Sequence, residues 1–172
     1  MCSRFKVGVK TATFIAALIS LTFIIIRVPN LVNLDLSDLT HEPFDLTETH
    51  VSVLKTLIYA FAITGLPISV YTMYGVVKKH ACIQVIFGIY QLGVAAFALY
   101  GLYLCQGMIE AVFPEPNQTS EVQELVRLAI GSFESDFRMA AAFGFASFGE
   151  ALVTAWIIFR ENREVMKSAV VV

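Results

Sequence analysis

Residues 138–160 read RMAAAFGFASFGEALVTAWIIFR. The apolar run between Arg138 and Arg160 makes a helix of about 30 Å at 1.5 Å per residue, the thickness of a bilayer's hydrocarbon core. One carboxylate, Glu150, interrupts it near the middle. Three similar runs lie upstream. TATFIAALISLTFIII stands between Lys10 and Arg27, a second run covers 56–77 and ends at Lys78 and Lys79, and a third covers 81 to about 105. The first is short, at about 24 Å, and its flanking basic residues can snorkel to the interfaces.

Composition agrees with this reading. The 172 residues are 57% hydrophobic and 15% charged, against about 25% charged in a soluble domain. Mean hydropathy is +0.72. These values exclude a disordered chain and argue against a water-soluble globule. The basic start followed by an apolar segment is superficially a signal peptide. The following RVPNLVNLDL has no small-x-small cleavage site, so the segment reads as a mature helix.

The expected fold is an all-α integral membrane protein, a single four-transmembrane-helix bundle over 1–172. Its helices fall at about 8–28, 52–77, 81–106 and 138–160, its outer loops at 29–51 and 107–137, and its tail at 161–172. Charge sets the orientation. Arg4, Lys6, Lys10, Lys78, Lys79, Arg160, Arg163 and Lys167 lie in the N-terminus, the central connection and the tail, whereas 11 of the 14 acids lie in the other two connections. The positive-inside rule therefore predicts both termini to be cytoplasmic. The sequon Asn117-Gln118-Thr119 falls in an outer loop and marks a glycosylation site.

Glu150 is the costliest residue in the chain, because an ionised carboxylate at the bilayer centre costs about 3 kcal/mol even on insertion scales. Protonation, a hydrogen-bond partner on another helix, or water must compensate it. Gln91 and Tyr71 are the expected polar neighbours, with Gln84 a further intramembrane polar residue. Wound at 100° per residue, Gln84, Gly88, Gln91, Ala95 and Ala98 form one stripe. Ala140, Gly144, Ser147, Ala151 and Thr154 form another, with Glu150 at its edge. Gly88, Ala95, Gly144, Ser147 and Ala151 are small enough to let helices approach closely. Pro67 is expected to kink the second helix.

His41, Glu42, Asp45, Glu48 and His50 have metal-ligand side chains, but Pro43 breaks the helix that would align them. Asp45 and Glu48 read instead as a helix start, and no metal or cofactor is expected. Ser120 and Gln123 open a short amphipathic helix carrying Val122, Leu125, Val126, Ala129 and Phe133. No phosphate loop, Cys-x-x-Cys or His-Glu-x-x-His motif occurs, so no enzyme is expected. No basic patch with interleaved aromatics suggests nucleic acid. Cys2 and Cys82 are candidates for palmitoylation. The terminus Val170-Val171-Val172 suits a cytoplasmic PDZ-type partner. The outer loops lack the paired cysteines of claudins and the Cys-Cys-Gly signature of tetraspanins.

The opening CSRFKVGVKTATFIAALISL, the hairpin VYTMYGVVKKHACIQVIFGIYQL and the charged tail resemble the lysosome-associated tetraspan transmembrane proteins and similar uncharacterised insect four-helix proteins. MARVEL-type proteins share the topology. The resemblance implies a multi-pass protein of the plasma or endolysosomal membrane. The cysteine-rich start and proline-tyrosine tail motifs of the lysosomal members have no counterpart here.

The expected role is that of a non-catalytic scaffold or accessory subunit in membrane-protein assembly or trafficking. Its expected partners are membrane lipids, other membrane proteins or further copies of itself. The alternative is a small oligomeric transporter or channel using Glu150, Gln91 and the hydroxyls around Pro67.

Overall fold

The computed structural model describes residues 3–33, 48–112 and 121–170. They form four helices: α1 (Ser3–Asn33), α2 (Glu48–Lys78), α3 (Ala81–Val112) and α4 (Glu121–Val170). All four are long and apolar enough to cross a membrane.

The helices are arranged in a ring. α1 packs on α2, α2 on α3, α3 on α4, and α4 back on α1, with α3–α4 the most extensive interface and α1–α4 the least. Among the described residues, the backbones of the diagonal pairs α1/α3 and α2/α4 do not meet.

Helix ends differ from the sequence expectation most clearly in α4. Its 50 residues span about 75 Å and absorb the expected amphipathic helix after Ser120, while the helix continues past Arg160 through Lys167, as the alternating charges there suggest, to Val170. No proline follows Pro116, and Gly131 alone does not stop a helix. α1 likewise runs to Asn33, past the expected end near 28. α2 continues through Pro67, which is exposed on its outer side.

The turn between α2 and α3 is closed by local chemistry. Lys79 adopts the left-handed conformation at φ 60°, and the His80 amide donates to the Gly75 carbonyl at 2.9 Å. This is the six-to-one bond of a Schellman C-cap, with lysine where glycine is usual. The Asn162 side-chain amide of α4 donates to the Lys79 carbonyl at 3.2 Å, fixing the turn to the end of the bundle.

The interior combines small and polar side chains with a few large apolar ones, Phe87, Ile157 and Ile158, whereas many large apolar side chains face outward. Ala16, Ala17, Ala95, Ala98, Ala151 and Phe87 are buried beside Thr13, Ser20, Ser69, Thr72, Gln84, Gln91, Ser147 and Thr154. Ile15, Leu18, Ile19, Phe23, Ile25 and Ile26 face outward from α1 alone. Water would penalise so much exposed apolar surface, whereas lipid tails do not. In a lipid surround close helix approach would be the main packing gain, and α4 makes room for it at Gly144. A Cβ there would stand 2.8 Å from the Gln91 carbonyl oxygen and 2.9 Å from Ala95 Cβ, inside any tolerated contact.

Candidate functional site

Glu150 lies on the α1 side of α4, about 15 Å along the helix from Arg160 and about 18 Å from Arg138. It is half-buried. The Thr13 hydroxyl lies 3.4 Å from its main-chain carbonyl oxygen. Its carboxylate, however, has no hydrogen-bond or ion-pair partner among the described residues.

The bundle's other buried polar side chains make their side-chain bonds to groups other than the Glu150 carboxylate. Thr13 and Thr154 share a hydrogen bond of 2.7 Å between hydroxyls. Gln91 reaches across the α1/α3 diagonal and its Nε2 donates to Ser20 Oγ at 3.2 Å. Gln84 Nε2 donates to the Thr72 carbonyl at 3.2 Å, while Gln84 Oε1 and Ser69 Oγ are buried without a partner among the described residues. The Tyr90 hydroxyl donates to the Phe61 carbonyl at 3.1 Å.

The expected pairing of Glu150 with Gln91 and Tyr71 therefore does not occur. Gln91 is directed to α1, and Tyr71 is 63% exposed on α2, the helix diagonally opposite α4. The small residues do come together. A Cβ on Gly88 would meet Ala151 Cβ at 3.4 Å, one on Gly144 would meet Ala95, and Ser147 is buried between these levels.

A second polar constellation lies beyond the apolar run that ends at Phe159. The Glu161 carboxylate accepts a hydrogen bond from Lys10 Nζ at 2.7 Å, with Lys6 at 3.8 Å and Lys79 at 3.9 Å. The Lys10 hydrogen bond, reinforced by the surrounding positive charge, holds this carboxyl below the ordinary glutamate range. One acid thus joins α1, the α2–α3 turn and α4. Sequence reasoning missed this cluster, because a tail of alternating charge reads as a solvated helix face.

Cys82 is a free, exposed thiol in the first turn of α3. Among the described residues, no three His, Cys, Asp or Glu side chains come together to hold a metal ion. The side chains of His41, Glu42, Asp45, Glu48 and His50 lie outside the described residues, as do Asn117, Cys2 and the last two valines.

Comparison with known protein families, curated proteins and solved structures yields no match to this chain. The class defined by the fold is a bundle of four helices, each long and apolar enough to cross a membrane.

Proposed function

We propose that the chain is a multi-pass membrane protein with both termini cytoplasmic. Its role is that of a non-catalytic scaffold or accessory subunit, held to other membrane proteins or to further copies of itself through the face around Glu150. The unpartnered carboxylate carries this reading. Buried hydroxyl and amide groups are linked across the bundle at Thr13–Thr154 and Gln91–Ser20, yet the residue most expensive to leave in lipid has no partner among the described residues.

Magnitudes favour a second chain. An interhelical hydrogen bond in a membrane contributes about 0.6 kcal/mol, well below the roughly 3 kcal/mol cost of an ionised carboxylate at the bilayer centre. An opposite charge or several donors from an adjoining helix would offset that cost, and Gly149 and Ala146 beside it are exposed and small. The plasma and endolysosomal membranes are the proposed locations, glycosylation at Asn117 the proposed outer-face modification, and Cys2 and Cys82 the proposed acylation sites.

The test is gentle-detergent purification from native membranes after cross-linking, comparing wild type with Glu150→Gln and Glu150→Ala. A stoichiometric companion chain that is weakened by Glu150→Ala is expected. Purification of the same assembly from all three proteins would overturn the reading. Proton or ion flux in liposomes would then decide the transporter alternative.

A further inference from the structure

Where α4 leaves the apolar zone, one side of it changes character within three turns. Trp156, the chain's single tryptophan, and Phe159 are 51% and 61% exposed. Arg160, Arg163 and Lys167 follow at helical spacing. Together with Glu164 these side chains line a groove of about 400 Å³. The Arg160 guanidinium stands 5.7 Å from the Trp156 ring centroid and donates through Nε to Glu164 at 3.1 Å. Arg163 and Lys167 have no carboxylate within ion-pair distance among the described residues.

We infer that this groove binds an anionic glycerophospholipid, with its acyl and glycerol portions on Trp156 and Phe159 and its phosphate on Arg163 and Lys167. Each part of the groove has a physical counterpart in the lipid. Indole and phenyl rings settle at the boundary between tails and headgroups. Arg163 lies about 10 Å further along the helix axis than Trp156, which places its planar fork at the phosphate level. Three cations face one carboxylate, so the groove keeps a positive excess that a net negative headgroup satisfies. A zwitterionic headgroup brings its own cation against it.

This inference rests on the membrane reading above and is independent of the Glu150 contact. Trp156 is a built-in reporter, since all tryptophan emission comes from the groove. The full chain is reconstituted in phosphatidylcholine bilayers containing a minor fraction of brominated phosphatidylserine or, separately, brominated phosphatidylcholine, and quenching by bromine is compared. The expected result is about a tenfold preference for the anionic lipid. It should fall to near unity in Arg163→Gln/Lys167→Gln, where the Arg160–Trp156 stack is retained, and persist in Lys6→Gln/Lys10→Gln.

Equal quenching by the two lipids in the wild type would overturn the inference, as would a preference unchanged in the Arg163→Gln/Lys167→Gln variant. Relief of quenching by soluble glycerophosphoserine at matched concentration would overturn the lipid component and leave a phosphate site. Absence of quenching by either lipid would overturn the membrane reading, and the inference with it.

Discussion

Thr13 of α1 and Thr154 of α4 share a buried hydrogen bond of 2.7 Å between hydroxyls, 141 residues apart in the chain. Both hydroxyls also lie near the Val9 carbonyl, at 3.2 Å and 3.5 Å. This seam is the least extensive of the four helix interfaces, and the pair is a specific link across it. Either threonine can fall back on a carbonyl when its partner is removed. A double-mutant cycle with Thr13→Val and Thr154→Val should therefore give a coupling of about 0.6 kcal/mol rather than the larger value of an unsatisfied pair. Denaturation in mixed micelles measures it.

Gly144 and Gly149 make a matched comparison on one helix. A Cβ at Gly144 collides with the α3 backbone, whereas one at Gly149 meets nothing within 4 Å. Gly144→Ala should destabilise the bundle by about 1–3 kcal/mol. Gly149→Ala should be neutral or slightly stabilising through helix propensity. Thermal unfolding in detergent would separate the two.

Lys79 occupies a left-handed position at φ 60° that costs a residue with a Cβ about 1 kcal/mol. Its ammonium is largely exposed and 3.9 Å from Glu161, so that ion pair contributes little. Lys79→Gly should accordingly raise the unfolding temperature, and a fall would show the ion pair to outweigh the backbone strain.

The Glu161 cluster gives a signed dependence on pH and salt. Because the folded carboxyl titrates below its ordinary range, its stabilisation is complete above the unfolded-state value. It is lost as pH falls through the ordinary glutamate range and on through the lower folded value. Glu161→Gln should abolish this acid-sensitive component. It also leaves Lys6, Lys10 and Lys79 facing one another, so added salt should stabilise the variant while slightly weakening the wild type. Unfolding midpoints across pH and salt would show both effects.

Four apolar helices could be read directly from the sequence because a bilayer forces apolar residues into runs bounded by charge, as at Arg138 and Arg160. The stripe Gln84, Gly88, Gln91, Ala95 and Ala98 could be read because one helix's winding fixes which residues share a side, and all five lie buried. Which side faces which helix could not. The Gln91–Ser20 and Lys10–Glu161 pairs depend on how α1 is rotated against α3 and α4, across separations of 71 and 151 residues. Pairing Tyr71 with Glu150 failed for that reason, since α2 and α4 are diagonal. The unbroken α4 was missed because the change from amphipathic to apolar near Arg138 alters composition without a helix breaker.

The Glu150 face is proposed to meet another polypeptide inside the bilayer. A photo-reactive residue at Gly149, which is exposed with open space around it, tests this directly in native membranes. A discrete protein adduct is expected, either a second copy or a distinct chain, that diminishes when Glu150→Ala is added. Adducts with lipid alone, unchanged by Glu150→Ala, would contradict it.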